Sequence, residues 1–100
     1  MGKKGVLRGK KISKQHSTYN GVAEKVILAL KENPLVNKIA LGPIKHLSGG
    51  SRRVTVREDK GQVRIQCRDI GSVQVLWAMG TSPENVRQFL EGQLSIEVCG

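Results

Sequence analysis

Aromatic side chains are the scarcest large residues in this chain. Tyr19, Trp77 and Phe89 are the only three in 100 residues. Proteins that read single strands on an open sheet stack bases on exposed aromatics, so the count argues against a reader of the RRM or OB type. Cysteine is nearly as rare. Cys67 and Cys99 are far apart and in no Cys-x-x-Cys pair, which leaves no disulfide framework. Cys67 shares the apolar side of its segment and reads as a small buried hydrophobe. Long apolar runs are also missing: none exceeds five residues, against the ~20 of a membrane-spanning helix. The first residues are basic but lack the apolar stretch of a signal peptide. Met1-Gly2 is not followed by the Ser or Thr at the sixth position that favours myristoylation. These absences lead to the expectation of a soluble cytoplasmic protein with no membrane partner.

Acidic residues are the last deficit. Eight Asp and Glu stand against 17 Lys and Arg, for a net charge of +9. That excess is more than solubility needs and points to a polyanionic partner. The acids are scattered, there is no Gly-x-Ser-x-Gly, and no cysteine sits among catalytic partners. The chain is therefore not expected to be an enzyme.

What the sequence does have is a central stretch of alternating segments, residues 51–79. In residues 52–58, Val54 and Val56 share one side and Arg53, Thr55 and Arg57 the other. In residues 62–70, Val63, Ile65 and Cys67 oppose Gln62, Arg64, Gln66 and Arg68. A period of two is that of a half-buried strand. Glu58-Asp59-Lys60-Gly61 between them reads as a hairpin turn, and an even-membered loop keeps both apolar sets on one face. In that register Arg53, Arg57, Arg64 and Arg68 gather on the other face. Residues 73–79 are the most apolar segment and read as a strand buried on both faces toward its end, with Trp77 in the core.

Around this centre lie two helices. Ser17, Thr18 and Asn20 are all capable N-caps. Val22, Ala23, Val26, Ile27 and Leu30 form an apolar stripe at helical spacing, and Asn33-Pro34 ends it. Ser82-Pro83-Glu84 is a strong helix start: a cap, a proline suited to the first helical position, and an acid at the positive end of the dipole. Gly92 is expected to end that helix, and Leu94, Ile96 and Val98 permit a final strand. Residues 36–41 read as a first strand broken by Gly42-Pro43. The expected fold is α+β, a mostly antiparallel four- to five-stranded sheet with two helices packed on one face, in the order α-β-β-β-β-α with a possible last β. Its length is that of one domain, here residues 16–100.

Residues 1–15 carry Lys3, Lys4, Arg8, Lys10, Lys11 and Lys14 and no acid. Such a segment cannot bury enough apolar surface to order itself when free, and suits an arm that neutralises phosphates on binding. Residues 45–53, with Lys45, Gly49, Gly50, Arg52 and Arg53, read as a phosphate-contacting loop: glycines let backbone N–H groups approach an anion, and arginine forks onto phosphate oxygens. It lacks the ending and spacing of a Walker A loop.

His16, His46, Cys67 and Cys99 are the only His and Cys residues, and no two have ligand spacing for zinc. His16 alone reads most simply as a polar residue at the start of a helix. The chain nevertheless resembles a small uncharacterised prokaryotic family of predicted metal-binding proteins. The resemblance runs from about His16 to Trp77. It is carried by His16-Ser17-Thr18, Gly42-Pro43-Ile44, the basic segment of residues 52–57 and Gly71-Ser72-Val73-Gln74. It implies a metal such as zinc, with His16 the matching candidate ligand. The residues themselves lead to a nucleic-acid-binding module. The paucity of aromatics favours phosphate and shape contacts, and so structured RNA or a duplex over sequence-specific single strands. RNA is the expected partner ahead of DNA, with association with the ribosome as one setting. The alternatives are the small metal-binding protein and an adaptor for an acidic protein partner.

Overall fold

The computed structural model describes residues 19–100. The basic arm of residues 1–15 and His16 lie outside them. Asn20 starts the first helix, α1 (Gly21–Leu30), its side chain accepting the Ala23 N–H at 2.7 Å. The stripe expected from the sequence is the buried side: Val22, Ala23, Val26, Ile27, Ala29 and Leu30. Five strands and a second helix follow: β1 (Lys38–His46), β2 (Arg53–Asp59), β3 (Gln62–Asp69), β4 (Ser72–Met79), α2 (Pro83–Leu94) and β5 (Val98–Cys99). Ser82 caps α2, accepting the Asn85 N–H at 3.2 Å. The helix runs through Gly92 to Leu94 and stops at Ser95, whose φ of 54° is left-handed. Gly92 does not end it, because an isolated glycine only weakens a helix by ~1 kcal/mol.

The sheet order is β1-β4-β3-β2-β5. All pairs are antiparallel except β2 and β5, which run parallel. The sheet is thus mixed but mostly antiparallel. Both central turns have two residues. Lys60 and Gly61, with φ of 54° and 84°, join Asp59 to its partner Gln62, the positive pair that a type I′ hairpin needs. Ile70 and Gly71 join Asp69 to Ser72. These turns set three core rows across β2, β3 and β4: Val54–Cys67–Gln74, Val56–Ile65–Leu76 and Glu58–Val63–Ala78. Apart from Glu58, every member of these rows is buried. α1 packs against β3 and β4, and α2 against β2, β3 and β5. Leu30, Leu76, Ile65, Leu90, Val26 and Val86 fill the space between.

Two expectations change here. The first strand does not break at Gly42-Pro43. It continues to His46, with a shift of register between Leu41 and Ile44 that makes a bulge. Proline is tolerated because β1 is an edge strand, where no ladder hydrogen bond is lost. In β4 the inward residues are Gln74, Leu76 and Ala78, while Val73, Val75 and Trp77 stand partly buried on the opposite face. Trp77 is therefore not in the core.

The inward Gln74 is almost fully buried and ties three elements together. Its Oε1 accepts the Asn20 N–H at 3.0 Å, and its Nε2 donates to the Gly42 carbonyl at 2.9 Å. Asn20 completes the link by donating from Nδ2 to the Cys67 carbonyl at 2.9 Å. The helix start, the sheet centre and the bulge are thus one hydrogen-bonded cluster. A second buried amide, Asn33, donates to Asn85 Oδ1 at 2.9 Å and joins the end of α1 to α2.

Gln74→Leu should destabilise the protein by about 2–4 kcal/mol although leucine is the more apolar residue, because the Asn20 N–H and the Gly42 carbonyl lose their partner. Urea unfolding of the variant checks this; an unchanged midpoint would show that the cluster does not hold the fold.

Candidate nucleic-acid interface

The face away from the helices follows from the same register. One row across it reads Arg57–Arg64–Trp77–Ala40, and another reads Arg53–Arg68–Val73–Lys45. Between them lies a neutral row, Thr55–Gln66–Val75. Arg53 is directly opposite Arg68, and Arg57 opposite Arg64. The four arginines placed together by sequence alternation are thus brought together as two facing pairs, with the two rows about 13 Å apart at ~3.3 Å per residue. The one ion pair among the described residues is Arg52–Asp69, so none of the four face arginines is neutralised by a carboxylate there.

A cavity of about 370 Å³ opens on this face. Val73, Val75 and Trp77 of β4 line it with Gly42 and Pro43 of the bulge; Arg64, Gln66 and Arg68 border it on β3, and Lys45 and Leu47 close one end. Trp77 lies across the sheet. Its Nε1–H donates to Asp59 Oδ2 of β2 at 3.1 Å. Its six-membered ring passes Gly42, where an added Cβ would stand 3.4 Å from Cζ3 and 3.0 Å from the Val75 carbonyl oxygen. Glycine at the bulge makes room for the ring.

The segment from Leu47 to Arg52 crosses the β3–β4 turn to reach β2. It is fastened there: Leu47 N–H donates to the Gly71 carbonyl at 2.9 Å, and Gly71 N–H to the Gly49 carbonyl at 3.0 Å. Gly49 and Gly50 have φ of 71° and 105°, conformations glycine adopts readily. Gly50 also lets Arg68 run past it, since a Cβ there would be 3.4 Å from Arg68 Nε. The expected phosphate loop is therefore a strap that borders the cavity. Lys45 lies in an arginine row, but Arg52 is turned elsewhere. Its Nε donates to Asp69 Oδ1 at 3.1 Å, beside the start of α1, while its own side chain remains 68% exposed. Burial pushes the Asp69 carboxyl up, but bonds from the Ile70 N–H, the Arg52 guanidinium and the Val22 N–H outweigh it and hold the carboxyl below its ordinary value.

Lys3, Lys4, Arg8, Lys10, Lys11 and Lys14 lie outside the described residues, as does His16. The remaining residues weighed for a metal do not fit one site. Cys67 is sealed in the core, and burial pushes its thiol up to about 12, whereas a metal ligand must be a thiolate. His46 ends β1 and Cys99 lies on β5, at opposite edges of the sheet, about 19 Å apart at ~4.8 Å per strand. Among the described residues no three of His, Cys, Asp or Glu come together. No helix among them is long and apolar enough to cross a membrane.

Trp77 is the residue of this face that sequence reasoning placed wrongly, in the core, whereas Gln66 was read on the arginine side, where it lies. The signal for Trp77 was the two-residue turn at Ile70-Gly71. It pairs Cys67 with Gln74 and so sends Trp77 to the arginine side. Compared with protein-family models, with curated proteins and with solved structures, the chain has no significant match in any of the three.

Two measurements test this geometry. Asp69→Asn should lower the melting temperature at neutral pH. A depressed carboxyl stabilises the fold above the unfolded value of ~3.9 and loses that effect as pH falls through the lower folded value. The deficit of the variant should therefore fade below about pH 4; a deficit independent of pH would assign it to packing alone. In thiol titration of the native protein at pH 8, Cys67 should stay unreactive and be released only by denaturant, and early labelling of Cys67 would contradict its burial.

Proposed function

We propose that this protein is a nucleic-acid-binding module with structured RNA as its preferred partner, held on the sheet face that bears the arginines. One observation carries the reading: Arg53 faces Arg68 and Arg57 faces Arg64 with no carboxylate between them. Like charges directly opposite one another destabilise a sheet, each pair by roughly 0.2–1 kcal/mol. A polyanion laid across the two rows turns that repulsion into four charge-assisted contacts, for which the guanidinium fork matches phosphate oxygens. Lys45 extends one row, and the lysines and arginine of residues 3–14 add charge from the segment that leads into α1. RNA is favoured over DNA because folded RNA presents loops and bulges whose phosphates and unstacked bases a protein face with a cavity can meet. A ribosomal RNA is one setting for such a contact.

The test is affinity for an RNA hairpin and a matched DNA duplex, each across a salt series. Log K should fall steeply with log salt for both, with the RNA bound more tightly. Replacing Arg53, Arg57, Arg64 and Arg68 together with Gln should flatten the slope by about 3–4 and leave thermal stability equal or higher, since two repulsive pairs are removed. Unchanged affinity and slope in that variant would overturn the reading, as would tight binding to a single acidic protein with only weak binding to RNA.

A further inference from the structure

The cavity on the arginine face has features that phosphate binding does not use. Its volume, about 370 Å³, lies at the small end of the ~300–1,000 Å³ typical of small-molecule sites. Its lining is mixed: the Trp77 ring and Val75 are apolar, while Gln66 stands in the neutral row between the two cationic ones. The ring is held in place by the bond from Nε1–H to Asp59 and by the bulge at Gly42 against its edge. It needs no reordering to receive a flat ligand. The Gln66 side chain makes no hydrogen bond among the described residues, and its amide offers both a donor and an acceptor. A fixed aromatic surface, a free amide beside it and cations on two sides match one nucleotide: base, edge and flanking phosphates.

We infer that this cavity seats a single unpaired nucleobase of an RNA strand, stacked on Trp77 with its edge against Gln66. The inference rests on the reading of this face as an RNA-binding surface and adds what is bound there. A paired base is excluded from such a seat, because both its faces and its Watson–Crick edge are already engaged in the duplex. The face has one aromatic, so it holds one base, with Arg64, Arg68 and Lys45 on the phosphates to either side.

Trp77 is the only tryptophan of the chain, so intrinsic fluorescence reports on the cavity directly. The full chain is titrated with a single-stranded RNA octamer, with a ribose-phosphate octamer lacking bases, and with a blunt RNA duplex, and binding is followed separately by anisotropy of a label on each probe. The expected result is quenching of Trp77 by the base-bearing strand alone. Trp77→Leu should lose about 5- to 150-fold in affinity for that strand and little for the abasic one, Trp77→Phe should retain most of it, and Gln66→Leu should weaken the strand without abolishing stacking. Binding of all three probes without selective quenching would overturn the base-seat inference and leave the phosphate-binding face standing. Binding of none would overturn both. Because quenching is read on the unaltered protein, instability of a Trp77 variant does not weaken the test.

Discussion

Register is the constraint on which both faces of this protein depend. Inward apolar and outward polar residues alternate along most of β2 and β3, so a slip of a single residue in either hairpin would send arginines into the core and valines to solvent. Two turns of two residues each prevent this. At Lys60-Gly61 both residues take positive φ, the backbone twist that suits a tight antiparallel hairpin. At Ile70-Gly71 the second residue does so, and the strap from Leu47 to Gly49 bonds to the turn from both sides. The arrangement of four guanidinium groups on one face is a direct product of these turns. It needs no specific bonds between the arginines and the rest of the protein.

Gln74 is the one polar residue of these strands that is buried, and its position bears on the shape of the opposite face. A buried amide is costly unless its donors and acceptor are matched. Here it accepts from the Asn20 backbone at the start of α1 and donates to the Gly42 carbonyl of the β1 bulge. At the bulge the Gly42 carbonyl is met by Gln74 from the core side. On the outer side the same bulge gives the cavity one wall and places Gly42 beside the Trp77 ring. One wall of the cavity is therefore anchored from the core side, while the Trp77 ring is held from the outer side by Asp59.

Much of this was legible in the sequence, and what was not has a common cause. The helices could be read because capping and periodicity are local: Asn20 and Ser82 are caps, and the α1 stripe is the buried side. The β2–β3 hairpin could be read because its apolar and charged sets do not overlap. β4 misled because both of its alternating sets are largely apolar. Val73, Val75 and Trp77 look more like a core row than Gln74, Leu76 and Ala78, and only pairing with β3 decides between them. The course of β1 through Gly42-Pro43 and its pairing with β4 depend on its being an edge strand. The ion pair of Arg52 with Asp69, 17 positions away, was not foreseen either, though it leaves the Arg52 side chain exposed. Each miss concerns a choice made by a distant strand rather than by local chemistry.

The balance of magnitudes shows which parts of the face the fold requires. Two opposed arginine pairs cost the sheet roughly 0.4–2 kcal/mol together, whereas truncating one buried leucine such as Leu76 would cost about 2–5 kcal/mol. The core can carry the repulsion, but nothing in its packing asks for it. Neutral residues at the same four positions would serve the sheet as well or better. Trp77 differs in kind. Its indole N–H is satisfied by Asp59, its ring is accommodated by a glycine, and it keeps part of its surface open beside the cations. A large apolar ring left partly exposed gains less from burial than it would in the core, which the opposite face of β4 would have offered it. Arg64 and Arg68, one member of each repelling pair, line the same cavity as the held-open ring. The proposed RNA site rests on this meeting of unneutralised cations with an aromatic surface, which the packing of the core does not require.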